Sequence, residues 1–236
     1  MSNSLVLLPG WGLGIEPLGI LQIALECEEN DLQVQLEPLP EIDSSVPGHW
    51  LDELDARLPD GCWLGGWSLG GMLATELAAR RQHRCAGLIT MASNSRFVAS
   101  EDWPHGMPPE DFADFMQRCE KNPAGTLRRF ALLCTKGGDE ADHYAKLIVR
   151  SAPSPAVNSL INGLHVLAAL DIREAMTTFK GPQLHMFGDS DALVPEAAAS
   201  ASHPEIRFMG GCHAFQMEQA GPVAEEICRF WRRHDG

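Results

Sequence analysis

Trp63-Leu64-Gly65-Gly66-Trp67-Ser68-Leu69-Gly70-Gly71-Met72-Leu73-Ala74 is the stretch on which the reading of this chain turns. At its centre, residues 66–70 form a G-x-S-x-G pentapeptide. A short apolar segment, Cys62–Leu64, precedes it, and residues 72–79 after it are rich in strong helix formers. Strand, sharp turn and helix are the setting in which such a serine stands on a strained elbow, its hydroxyl projecting above a sheet. Small residues at 66 and 70, reinforced by Gly65 and Gly71, let the helix cross close to the strand.

Outward from the elbow, short apolar runs recur at Leu5–Leu8, Val34–Leu36, Gly87–Met91, Leu184–Phe187 and Ile206–Met209. Between them lie helical patterns at Gly19–Cys27, His49–Leu58, Gly71–Gln82, Pro195–Ala201 and Pro222–Arg233. Strands alternating with helices predict a mostly parallel sheet flanked by helices on both faces. In the last helix Val223, Ile227, Phe230 and Trp231 make one stripe at helical spacing, which is core. The alternation stops after Met91 and resumes near Gly181. Pro104, Pro108, Pro109, Pro123, Pro153 and Pro155 divide the interval into short helices. The expected organisation is a sheet core from 1–92 and 181–236, with 93–180 inserted as a helical cap over the C-terminal strand edge, where open α/β sheets bind ligands.

A serine hydroxyl becomes a competent nucleophile only with a histidine base that a carboxylate orients. Folds with this elbow supply the partners in the order serine, acid, histidine. After the run Leu184–Phe187 comes Gly188-Asp189-Ser190-Asp191-Ala192-Leu193-Val194-Pro195, where two aspartates compete. Asp191 is the expected acid and Asp189 the expected turn-shaping residue. After Ile206–Met209, the loop Gly210-Gly211-Cys212-His213-Ala214 holds the expected base, His213. His49, His83, His143 and His203 read as structural. The oxyanion formed on attack needs two N–H donors. Leu69 supplies one, and the loop Pro9-Gly10-Trp11-Gly12 the other through Trp11, whose indole is expected to wall the acyl pocket.

Composition narrows the remaining possibilities. With 236 residues, 44% hydrophobic and 21% charged, the chain fits one ordinary globular domain with an insertion. No apolar run reaches the roughly 20 residues of a membrane span. The first residues lack the basic region of a signal peptide. The odd count of seven cysteines includes no C-x-x-C pair, which predicts reduced thiols in a cytoplasmic protein. The nine histidines show no metal-ligand spacing, and the serine chemistry read above implies neither metal nor organic cofactor. A net charge of −14 argues against nucleic acid. Between Arg118 and Arg150, however, seven basic residues stand against four acidic ones; that segment is +3 and the remainder −17.

Several motifs together resemble a known family. Pro9-Gly10-Trp11-Gly12-Leu13, the elbow stretch 63–71, Met91-Ala92-Ser93, Asp102-Trp103-Pro104 and Leu127-Arg128-Arg129-Phe130-Ala131-Leu132 are similar to the BioH-type pimeloyl-[acyl-carrier protein] methyl ester esterases of biotin synthesis, members of the α/β-hydrolase superfamily. So are Asp171-Ile172-Arg173, the Asp191–Pro195 run and His213-Ala214. The resemblance implies an α/β-hydrolase fold and a monomeric, cofactor-free serine carboxylesterase. It makes Ser68, Asp191 and His213 the triad, with Trp11 and Leu69 at the oxyanion site. Phe130, Ala131, Leu132, Leu133 and Cys134 are implied to line an acyl tunnel. The implied partner is acyl carrier protein bearing a pimeloyl methyl ester. Because carriers are acidic, Arg128 and Arg129, expected to begin a cap helix, and Lys146 and Arg150, one turn apart, are candidate docking residues.

Three departures from the family pattern stand out. Pro9 replaces a common histidine, Cys134 replaces a common glutamine, and the short start predicts that an initial pair of antiparallel strands is missing. The rival readings are a general short-chain carboxylesterase, a thioesterase, acyltransferase or cofactor-free haloperoxidase on the same fold, and a non-catalytic binding module.

Overall fold

A computed structural model describes residues 3–152, 157–200 and 205–234. In chain order the elements are β1 (Ser4–Leu8), α1 (Glu16–Glu28), β2 (Gln33–Leu36), α2 (Pro47–Arg57), β3 (Trp63–Trp67), α3 (Leu69–Arg81) and β4 (Gly87–Met91). Five helices follow: α4 (Pro109–Lys121), α5 (Pro123–Thr135), α6 (Ala141–Ser151), α7 (Val157–Ala169) and α8 (Arg173–Thr178). The chain then returns through β5 (Gln183–Gly188), α9 (Glu196–Ser200), β6 (Ile206–Met209), α10 (Phe215–Glu218) and α11 (Ala220–His234). Pro153, Pro155, Ala201 and His203 fall outside the described residues.

The strands form one six-stranded sheet in the order β2-β1-β3-β4-β5-β6. Every ladder is parallel, so the sheet is parallel throughout. The middle strands can be apolar along their whole length because helices cover both faces; β3 and β4 are buried at every position. The stripe foreseen in the last helix is real: Val223, Ile227, Phe230 and Trp231 of α11 are all buried.

Chain order reverses across β1, with β2 on one side of it and β3 on the other. Such a switch point opens a crevice at the carboxyl ends of the strands. The loop after β1 and the elbow after β3 face each other across it. The loops after β4, β5 and β6 emerge at the same edge.

Prolines start two of the intervening helices rather than ending them. Pro109 and Pro123 occupy the first turns of α4 and α5, where the missing N–H costs nothing. Asn122 caps α5 by accepting from the Gly125 N–H at 2.9 Å. Arg128 and Arg129 therefore stand inside α5 and do not begin it.

The base of the segment is clasped by charge. Arg173 donates from Nη2 to Asp102 Oδ2 at 2.7 Å and from Nε to Asp171 Oδ1 at 2.8 Å, and its guanidinium lies 5.6 Å from the centroid of the Trp103 ring. Among the described residues, no helix is long and apolar enough to cross a membrane.

Candidate active site

Ser68 sits between β3 and α3 with φ 56° and ψ −120°, a region costly for a residue with a side chain. The surroundings hold it there. Its N–H donates to Met91 O at 2.9 Å, and its carbonyl accepts from Ser93 Oγ at 2.9 Å and Gly71 N at 3.1 Å. The turn is tight enough that a β-carbon on Gly66 would run into the backbone of Gly70, and one on Gly70 into the carbonyl of Leu8. This close approach is why the pentapeptide needs both glycines.

His213 is fully buried in the loop after β6. Its Nδ1 lies 2.8 Å from Asp191 Oδ2, and neither side chain is exposed. Asp191 is itself fixed, because Oδ1 accepts from the N–H groups of Leu193 (2.7 Å) and Val194 (3.0 Å). A carboxylate only accepts, so the imidazole proton belongs on Nδ1 and leaves the lone pair on Nε2. That Nε2 is buried and has no hydrogen-bond partner among the described residues. Such an atom is a poised acceptor.

Asp189 does something else. Its Oδ1 accepts from Gly211 N at 2.9 Å and Ser190 Oγ at 3.0 Å, tying together the loops after β5 and β6.

Trp67 links the serine and histidine loops. Its indole N–H donates to the His213 carbonyl at 2.9 Å, and its ring centroid lies 5.9 Å from the imidazole. The sequence assigns Trp67 no role of its own beyond its place in the elbow stretch; a bulky indole in a turn of small residues is the signal that could have found it. No hydrogen bond joins Ser68 Oγ to Nε2 among the described residues, and in unliganded sites such contacts often tighten only around substrate.

The loop after β1 comes up to the serine: a β-carbon on Gly10 would lie 3.4 Å from Ser68 Cβ. Leu69, the first residue of α3, has an N–H with no acceptor inside the helix. The Trp11 N–H enters no hydrogen bond among the described residues. The Trp11 indole is buried against the intervening helices. A cleft of about 210 Å³ beside it is walled by Trp50, Leu39, Glu16, Glu41 and Leu160. None of Ser68, Asp191 and His213 lines that cleft, so it is not the space over the serine.

The expected tunnel segment divides into two faces. Phe130, Ala131 and Cys134 are buried, whereas Leu132 and Leu133 are 53% and 37% exposed. A helix turns about 100° per residue, so five consecutive positions cannot all face one tunnel. Burial pushes the Cys134 thiol well above its ordinary pKa, helped by nearby Asp191.

Leu132 instead floors an outer groove between α5 and α6 with Ala145 and Val149. Arg128, Lys146 and Arg150 stand around the groove, as does Asp142. Arg129 is exposed but does not line it. Among the described residues, no group of three or more His, Cys, Asp or Glu side chains could hold a metal ion.

A parallel sheet with a strained serine after β3, an aspartate after β5 and a histidine after β6 matches the family model of the alpha/beta hydrolase fold over residues 49–220, and the chain belongs to that family. Solved structures agree at the level of fold. A bromoperoxidase from Bacillus anthracis aligns with a TM-score of 0.83 at 17% identity, covering 98% of this chain and 92% of that one. The esterase EaEST from Exiguobacterium antarcticum aligns at 0.81 and 14%, with the same coverage.

Sequence relatives are more specific. A pimeloyl-[acyl-carrier protein] methyl ester esterase of Sodalis glossinidius (strain morsitans) is 34% identical over 244 residues, 97% of this chain and 93% of that protein. The biotin biosynthesis bifunctional protein BioHC of Cellvibrio japonicus (strain Ueda107) is 33% identical over 96% of this chain, which spans 47% of that longer protein. Within the hydrolases, the chain belongs to the sequence family of these methyl ester esterases.

Proposed function

We propose that this protein hydrolyses the methyl ester of pimeloyl-[acyl-carrier protein], releasing pimeloyl-[acyl-carrier protein] and methanol for biotin biosynthesis. The observation that carries the chemistry is the buried Asp191–His213 pair with its unpartnered Nε2, at the same sheet edge as Ser68. The substrate is supported by the names of relatives at 34–36% identity, matched over 76–93% of their length.

In this reading His213 Nε2 takes the Ser68 proton while Oγ attacks the ester carbonyl. The N–H groups of Trp11 and Leu69 hold the developing oxyanion; a single such donor is worth about 3 kcal/mol. Methanol leaves with the proton from His213. A water activated by the same imidazole then attacks the acyl-enzyme, and the carboxylate departs from Ser68.

Residues 1–92 and 181–236 act as the catalytic core and 93–180 as a cap over it. Phe130, Ala131 and Cys134 contribute the inward wall of the acyl site. The groove edged by Arg128, Lys146 and Arg150 docks the acidic carrier, which the −14 charge of the whole chain would otherwise repel. The protein works as a monomer in the cytoplasm, a reducing compartment in keeping with its seven free cysteines.

The test is genetic. The intact gene, and not its Ser68→Ala variant, should restore growth of a biotin-requiring host that lacks its own esterase. Failure of a well-expressed protein to rescue would favour a general short-chain esterase.

A further inference from the structure

The indole of Trp11 is held by the intervening helices. Its N–H donates to the carbonyl of Leu160 on α7 at 2.8 Å. Phe115 of α4 and Phe130 of α5 meet its ring edge-on, with centroids 5.3 and 5.2 Å away. A notch in α7 completes the clamp. A β-carbon on Gly163 would fall 2.8 Å from Trp11 Cδ1 and 3.2 Å from Nε1, so glycine is what lets the ring lie on that helix. Three helices thus converge on one side chain of the loop after β1.

The main chain of the same residue is where the chemistry needs support. Trp11 stands between Gly10 and Gly12, in a loop whose own backbone bonding is slight: Leu13 N donates to Gly10 O at 3.2 Å, and Trp11 N–H to nothing described. Glycines on both sides give its backbone few intrinsic restraints, so packing has to set its course. The indole anchor is therefore a long-range constraint on where the Trp11 N–H points. The same helical segment also touches the base loop, because Cys134 O, in the last turn of α5, accepts from Ala214 N at 3.0 Å.

We infer that α7, through the Leu160 carbonyl and the notch at Gly163, positions Trp11 so that its main-chain N–H faces the ester carbonyl above Ser68. The oxyanion site is then complete only while the helical segment is seated on the sheet. The inference rests on the esterase reading given above. The Trp11 indole and Gly163 act by positioning, since neither touches the reacting atoms; the Trp11 main-chain N–H is the group that does. Hydrolysis of a small ester that never meets the carrier surface therefore also depends on α7.

Two variants test this. Trp11→Phe keeps a buried aromatic ring but loses the N–H to Leu160; Gly163→Ala puts a methyl group into the notch. For p-nitrophenyl butyrate, kcat should fall by about tenfold or more in each, within the ~10²-fold cost of a 1 Å misplacement, while KM stays within about twofold. Affinity for a trifluoromethyl ketone, which forms an oxyanion on the serine, should fall by the same factor as kcat/KM. Melting temperature is followed in parallel, and Gly163→Ala decides the matter if Trp11→Phe does not fold. An unchanged kcat in a folded variant, or a loss of kcat with undiminished ketone affinity, would overturn the inference. Absence of Ser68-dependent turnover in the unaltered protein would overturn the esterase reading itself, and the coupling with it.

Discussion

Asp191→Asn is the substitution whose outcome the geometry constrains most tightly. In the native loop Oδ1 of Asp191 accepts two main-chain N–H groups, from Leu193 and Val194, and Oδ2 faces His213 Nδ1 at 2.8 Å. An asparagine here has no freedom to choose its orientation. Its carbonyl oxygen must stay on the two N–H donors, which turns its NH₂ toward Nδ1. The imidazole must then accept at Nδ1 and carry its proton on Nε2, the wrong tautomer for removing a proton from Ser68. A base locked in the wrong tautomer costs about 10⁴ in kcat, or roughly 5 kcal/mol of transition-state stabilisation. Asp189→Asn provides the contrast. That residue is exposed, and the oxygen accepting from Gly211 N and Ser190 Oγ survives the change, so kcat should stay within about twofold. The assay is steady-state hydrolysis of p-nitrophenyl butyrate by both variants, with melting curves to establish folding. Retention of more than a tenth of kcat by Asp191→Asn, or an equal loss in Asp189→Asn, would refute the reasoning.

The remaining expectations concern stability, thiols, docking and pH. Arg81, 1% exposed, donates to Asp55 Oδ1 and to the carbonyls of Asp55, Leu58 and Pro59, joining α3 to the end of α2. Arg81→Ala should cost about 2–4 kcal/mol and lower Tm by roughly 5–15 °C in calorimetry; a fall below 2 °C would contradict that role. Of the seven free thiols only Cys27 is exposed, and burial pushes Cys85 up to about 12 and Cys119, Cys212 and Cys228 up to about 11. Ellman's reagent at pH 8 should find one fast thiol in the native protein and seven in denaturant. Lys146→Glu combined with Arg150→Glu should lower kcat/KM for carrier-bound substrate more than Arg129→Glu does, with the gap closing as salt is added. Equal effects would remove the α5–α6 groove as the dock. Asp102 is held down to about 2 by the Ser100 hydroxyl and Arg173, and Asp171 is lowered chiefly by Arg173. Carboxylates depressed in the folded state stabilise it above their unfolded pKa near 4 and lose that contribution as pH falls through the folded values. The clasp should therefore hold at pH 5 and weaken toward pH 2, and Arg173→Ala should move both carboxyl titrations upward by NMR; unmoved titrations would contradict the clasp.

How much of this was legible in the sequence depended on the range of the interaction concerned. Gly87–Met91 and Ile206–Met209 coincide with the strands found. The first is buried throughout between helices, whereas the second is a half-exposed edge strand that its short run of bulky residues sufficed to mark. The end of β3 was missed, since Gly65 and Gly66 have weak strand propensity and pair only because neighbours on both sides demand their flatness. The start of α1 was set too late; Pro17 stands in its first turn, where proline is tolerated. Loop positions after successive strands were readable from order alone, but order cannot choose between two aspartates two residues apart. Hydrogen bonds from Leu193, Val194 and Gly211 separate their environments. Family resemblance carried the segment from Phe130 to Cys134 across as a string, while a helix presents it as two faces. The anchoring of Trp11 by Leu160 and Gly163 spans some 150 residues and leaves no local pattern.

The central claim is that Ser68 attacks the methyl ester of a carrier-bound chain and expels methanol. Rapid-quench mass spectrometry of the purified protein mixed with pimeloyl-[acyl-carrier protein] methyl ester tests it most directly. The account predicts a transient covalent adduct of protein and carrier joined at Ser68, formed with one equivalent of methanol and absent from Ser68→Ala. Steady release of methanol by Ser68→Ala at the native rate, with no adduct at residue 68 in the intact protein, would contradict it.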